Sequence, residues 1–129
     1  MEDNKPHRLN QQDDKVIKIF AELGMPKNFA RTLLYISQVD ECRSADVEQG
    51  TRLRQPEVSV VMQELMKKGW VEKRDLRKKG KGRPIHIYKL TCPLGSIIET
   101  FEQEKMLEIE KIKGDISELK NIVNSIKQQ

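Results

Sequence analysis

The sequence predicts a mainly α-helical chain with one small β-hairpin and a long terminal helix. Three observations carry that expectation. Apolar residues recur at helical spacing over 16–23, 29–36 and 58–65. Two glycines and a proline between Asp75 and Pro84 separate two short β-favouring segments. Six aliphatics near the C-terminus, Ile109, Ile112, Ile116, Leu119, Val123 and Ile126, are spaced 3, 4, 3, 4 and 3 apart.

The elements follow in order. Residues 1–11 read as a tail. A helix is expected to begin near Asp13 or Asp14, whose charge suits a helix N-terminus. Val16, Ile17, Phe20 and Leu23 line its face. Gly24 stops it, and Pro26 fits the start of the next helix. Phe29, Leu33, Tyr35 and Ile36 give that second helix its apolar side. Ser44 is expected to cap a short third helix, Ala45 to about Gly50. Pro56 suits the first turn of a fourth, with Val58, Val61, Met62 and Leu65 facing inward and Lys67, Lys68 and Gly69 closing it. Trp70–Arg74 and Ile85–Leu90 are the strand candidates, and the intervening Gly80, Gly82 and Pro84 require a non-helical tip. Thr91-Cys92-Pro93 opens the last helix. Leu94, Ile97, Ile98 and Phe101 are expected to meet the body, and Gly114 is a candidate bend.

A length of 129 residues leaves room for one domain and little more. No apolar run reaches the ~20 residues of a bilayer span, and the polar start shows no secretory signal. Two cysteines, Cys42 and Cys92, are too few for a disulfide framework, so a reduced, cytoplasmic setting is expected. No nucleophile–base set, phosphate loop or clustered carboxylate site is visible, so neither an enzyme nor a cofactor is expected.

Charge is uneven. Arg52 to Lys89 holds twelve Lys or Arg and four acids, a net of +8 against +4 for the whole chain. The remainder is therefore −4. A basic field on an acidic body is the footprint of a polyanion site, nucleic acid first; a solvated basic face is the other reading.

Ser44 to Val71 resembles a helix-turn-helix of the winged-helix type. Leu53-Arg54-Gln55-Pro56-Glu57-Val58-Ser59 and the close Leu65-Met66-Lys67-Lys68-Gly69-Trp70-Val71 resemble the recognition helix of bacterial and archaeal regulators of the ArsR/MarR type. Gly80 to Tyr88, GKGRPIHIY, resembles the wing and its returning strand. The resemblance covers 12–92. It implies a winged helix-turn-helix DNA-binding domain, with 93–129 as a coiled-coil dimerisation helix. ArsR-type metal sensors carry a Cys-x-Cys on the preceding helix. Asp46 resembles that helix's aspartate, but the two cysteine positions fall on Arg43 and Ala45, so no metal is expected there.

An α-helix in a major groove presents its N-terminal half to base edges. The candidates are Arg52, Arg54, Gln55, Glu57, Ser59, Val60 and Gln63. Glutamine can bond adenine bidentately, Ser59 suits a base or a phosphate, and Val60 suits a thymine methyl. Arg52 and Arg54 suit guanine or phosphate. Glu57 either accepts from cytosine or serves the helix dipole. On the wing, Arg77, Lys78, Lys79, Lys81 and Arg83 would grip phosphates, with Arg83 the candidate for a narrow minor groove.

The terminal aliphatic seam asks for a partner, expected to be a second copy of the chain; a helix folded back on its own domain is the alternative. With Ile109 at a, Glu108 and Asp115 at g meet Lys113 and Lys120 at e in a parallel pair. That preference is worth only tenths of a kcal/mol per exposed pair, and related regulators often pair terminal helices antiparallel. Cys42 and Cys92 can be read as inert thiols, as a redox pair, or as metal ligands with His86. Three functions remain open: a homodimeric repressor on an inverted repeat of double-stranded DNA, an architectural DNA-coating protein, and a winged helix used for protein contact. No membrane contact is expected, and no effector can be read.

Overall fold

The computed structural model describes residues 7–76 and 85–128. The chain divides into two compact units, residues 1–94 and 95–129.

The first unit holds α1 (Gln11–Glu22), α2 (Lys27–Ser37), α3 (Ser44–Thr51), α4 (Gln55–Lys67), β1 (Val71–Leu76) and β2 (Ile85–Leu90). Helix α1 starts ahead of the expected Asp13 because Asn10 caps it. The Asn10 side chain accepts from the Asp13 N–H at 3.0 Å, and the Asp13 carboxylate accepts from the Asn10 N–H at 2.7 Å. This reciprocal pair satisfies two donors of the first turn. Asp13 is buried, and its other oxygen accepts from Gln38 at 2.8 Å. Gly24 takes a φ of 99°, which lets the chain reverse before Pro26.

Helix α2 is the centre of the unit. It buries Phe29, Ala30, Thr32, Leu33, Leu34, Tyr35 and Ile36, more than one face of a helix, because α1, α3, α4 and β2 all pack around it. Helix α4 buries Val58, Val61, Met62 and Leu65, at the spacing the sequence predicts. Trp70 closes the core after α4 and meets Phe29 edge-on, with ring centroids 6.0 Å apart.

Ser44 is not the cap of α3 but its first residue. The carboxylate of Asp46 reaches back and accepts from the Arg43 N–H at 2.9 Å, which satisfies the backbone donor of the residue before the helix. The helix also runs one residue past Gly50, to Thr51. Strands β1 and β2 pair antiparallel from Val71↔Leu90 to Leu76↔Ile85, so β1 runs two residues beyond the expected Arg74. Across this ribbon His86 Nδ1 lies 2.6 Å from Asp75. A third, one-residue strand is absent from the sequence reading. Cys42 and Tyr88 exchange both backbone hydrogen bonds, at 3.0 and 2.8 Å, and tie the loop before α3 to the ribbon. Arg74 also pairs with Glu41 of that loop.

Burial pushes the Cys42 thiol up from 9.0 to about 12, with the Asp46 carboxylate adding to the shift. Burial likewise raises Tyr35 from 10.0 to about 12. Both groups stay neutral in the folded chain at pH values where the unfolded chain ionises them. The stability they contribute is therefore complete below their ordinary values and falls as pH climbs from about 9 toward 12. Urea midpoints measured across that range should decline, and Cys42→Ala should make the decline shallower. A midpoint indifferent to alkaline pH would contradict the assignment. For the same reason little of the Cys42 thiol is present as thiolate at neutral pH.

The second unit is the helix α5 (Leu94–Lys127), 34 residues and about 50 Å long. Ile97 and Phe101 are its buried residues. Ile98, expected to be covered with them, is exposed. The helix continues through Gly114. All six seam aliphatics are exposed, from Val123 at 42% to Ile126 at 65%.

Candidate nucleic-acid interface

The elements α3, turn and α4 form a helix-turn-helix, and β1 and β2 follow it as a ribbon. Because Val58, Val61, Met62 and Leu65 point inward, the opposite side of α4 faces solvent. Gln55, Ser59, Val60 and Gln63 are all exposed there, and Val60 is 57% accessible. An aliphatic this open in the middle of a polar stripe is available for contact from outside the domain. Ser59 and Gln63 stand one turn apart, so they and Val60 form one contact surface.

Glu57 is placed differently. One carboxylate oxygen accepts from the Arg54 N–H at 3.0 Å and the other from the Asn28 side-chain amide at 3.0 Å. It caps α4 and fastens that helix to α2, which fits the first-turn role. Asn28 is the partner that sequence reading missed; only Glu57's position three residues after Arg54 carries a trace of it, as half of a capping box.

The turn is held by Thr51. Its hydroxyl donates to the Val47 carbonyl at 2.6 Å and accepts from the Leu53 N–H at 3.3 Å. Between them Arg52 adopts φ 63° and ψ 20°, the left-handed region. Among the described residues no other non-glycine has a positive φ. A side chain there costs about 1–2 kcal/mol relative to a relaxed backbone. Arg52 and Arg54 are both exposed at the start of α4. The wing residues Arg77, Lys78, Lys79, Lys81 and Arg83 lie outside the described residues. The strands on either side of them pair in register up to Leu76↔Ile85.

Among the described residues no group of three or more His, Cys, Asp or Glu is placed to hold a metal ion. No helix there is long and apolar enough to cross a membrane.

A helix-turn-helix with an exposed second helix and a following β-ribbon defines the winged-helix class of DNA-binding folds. The MarR family model matches residues 23–82. Over that stretch, a little under half of the chain, the sequence is similar to the MarR family. Of the two families the sequence resembles, the match falls on MarR. The archaeal chromatin protein TrmBL2 superposes with a TM-score of 0.63 at 17% identity, over 88% of this chain and 41% of that one. This chain therefore spans about two fifths of TrmBL2. A possible transcriptional regulator from Methanosarcina mazei Go1 superposes with a TM-score of 0.59 at 14% identity, over 79% of this chain and 83% of that one. NadR, solved in complex with 4-hydroxyphenylacetate, gives 0.51 at 15% identity over 98% and 97% of the two chains. At these identities the likeness is one of fold. The curated proteins gave no significant sequence match.

Proposed function

We propose that this chain is a sequence-reading, double-stranded DNA-binding transcription regulator, acting as a homodimeric repressor on an inverted repeat. Residues 12–92 are the DNA-binding domain, and 93–129 pair two copies through α5. The observation that carries the reading is the exposed stripe Gln55, Ser59, Val60 and Gln63 on the second helix of the motif, with Arg52 and Arg54 at its head. Amide and hydroxyl groups there suit base edges, whereas a surface needing only phosphate would be cationic throughout. Glu57 contributes by fixing the helix rather than by reading a base. The seam on α5 supports a second copy as partner because it is aliphatic, continuous and exposed along five turns.

The architectural reading keeps one supporting observation, the fold it shares with TrmBL2, which is described as a chromatin protein with a novel mode of DNA binding. The two readings separate in one experiment. The protein is mixed with random genomic fragments at two salt concentrations, and the retained fragments are sequenced. Enrichment of an inverted repeat supports the regulator; retention without enrichment supports the coating protein. On an enriched site, Gln63→Ala should relax one base position per half-site at a cost of about 1–3 kcal/mol. Arg83→Ala should weaken all sequences alike and reduce the salt slope by about 0.9. A Gln63→Ala protein with unchanged base preference would remove Gln63 from the reading surface.

A further inference from the structure

A cavity of about 380 Å³ opens beside the turn that leads into α4. Arg8, Arg31 and Arg52 line it, with Asp14, Gly50 and Thr51. Three guanidiniums and one carboxylate leave it two positive charges in excess. Among the described residues the ion pairs are Arg74–Glu41, His86–Asp75 and three along α5, so none of the three arginines is paired. Nor, among the described residues, does any of them make a side-chain hydrogen bond. They come from three separate places: the segment before α1, the middle of α2, and the end of α3. Guanidiniums with no acidic partner among the described residues repel one another, and an arrangement that collects three around one concavity is stabilised by an anion between them.

We propose that this cavity binds an oxyanion, a phosphate or carboxylate group held between Arg8, Arg31 and Arg52. The backbone of Arg52 supports this independently. Its φ of 63° is a conformation glycine adopts freely. The hydrogen bonds that enforce it come from the Arg52 N–H to the Glu48 carbonyl at 2.8 Å and from the Leu53 N–H to Thr51. Neither uses the Arg52 side chain. A strained backbone bearing a long cation, where glycine would serve the turn better, indicates that the guanidinium itself has a use. Asp14 sets the selectivity. It repels an anion of excess charge and limits the cavity to a small group.

The oxyanion can be a free small molecule or a backbone phosphate of a duplex lying against α4. A free anion would occupy a guanidinium that stands two residues from Arg54, and so would compete with the duplex for the head of α4. The proposal goes beyond the DNA-binding reading, and only its duplex arm rests on it.

The full-length chain is titrated calorimetrically with inorganic phosphate at constant ionic strength, and separately with the enriched duplex over a range of salt. For a free ligand, phosphate should give a saturable signal. Arg31→Gln and Arg52→Gly should each weaken it about tenfold, and Asp14→Asn should tighten it. Arg52→Gly relieves the backbone, so its loss of binding cannot come from misfolding. For a duplex phosphate, inorganic phosphate should give no saturable signal, while Arg31→Gln lowers the duplex salt slope by about one. The proposal is overturned if phosphate gives no signal and Arg31→Gln keeps the wild-type slope, or if phosphate binds equally well to all variants. A wild-type chain that binds no duplex defeats the regulator reading instead, and leaves the phosphate titration to decide the cavity.

Discussion

Placing two charges in the α5 seam, Ile116→Lys together with Val123→Lys, is expected to yield a monomer whose duplex affinity is lower by about 10²–10⁴-fold. Both side chains are exposed in the single chain, at 49% and 42%, so the substitutions open no core within it. Helix α5 should therefore keep its helicity, since lysine is a good helix former. In the proposed dimer both residues occupy a positions, where a lysine must be desolvated opposite its own copy. Each apolar side chain so buried contributes about 1.5–3 kcal/mol, and two per chain exceed what the rim charges can recover. Those charges are weak holders of the pair for a further reason. Lys105 bonds Glu108 at 3.2 Å, Lys111 bonds Asp115 at 3.5 Å and Lys113 lies 3.9 Å from Glu110, all within one helix. Sedimentation equilibrium reads the oligomeric state. A duplex titration reads the lost second half-site, expected about 34 Å from the first. Ile116→Leu with Val123→Ile should stay dimeric. A persistent dimer in the lysine variant would move the interface elsewhere.

The fold was legible wherever one residue's fate is decided by its near neighbours in sequence. The spacing of Val58, Val61, Met62 and Leu65 orients α4, and that alone turns Gln55, Ser59, Val60 and Gln63 outward. Gly24 and Pro26 mark a real reversal, and the two β-favouring segments, Val71–Leu76 and Ile85–Leu90, do pair antiparallel. Helix starts were less legible because the acids at Asp13, Asp46 and Glu57 reach back to backbone donors, a geometry that side-chain type alone does not announce. The Cys42–Tyr88 bridge was illegible, since a strand of one residue has no periodicity. The arginine cavity was illegible for a related reason: residues 8, 31 and 52 share no motif, and only the packing of α1, α2 and α3 brings them together. Glu57 shows what local pattern leaves out. Its type suits a base edge, but the amide of Asn28, distant in sequence, competes for its second oxygen.

Gly50→Ala is expected to destabilise the domain by about 2–3 kcal/mol, against the sign that helix propensity gives. Gly50 lies inside α3, and its backbone does not require glycine, since Gly24 and Gly69 are the described glycines with positive φ. Alanine at a relaxed helical position is worth about 1 kcal/mol of added stability. Space decides otherwise. A Cβ on Gly50 would lie 2.5 Å from Cδ1 of Tyr35, 2.9 Å from its Cζ, and closer still to Cε1. These are atoms along the flank of a rigid ring, not the end of a flexible chain. Tyr35 is only 3% exposed and the His7 ring lies 5.8 Å from it, so the ring has nowhere to swing. Helix α3 must therefore retreat from α2, and Thr51 and Arg52 retreat with it. The turn that aims α4 depends on those two residues, so duplex affinity should fall along with stability. Thermal denaturation should show a midpoint lower by roughly 10 °C or more, given about 4–8 °C per kcal/mol for a domain of this size. Tyr35→Ala should absorb the added methyl, so the double variant should cost clearly less than the two single costs combined. A higher midpoint in Gly50→Ala would mean that propensity outweighs the clash, and that α3 does not depend on the ring for its position.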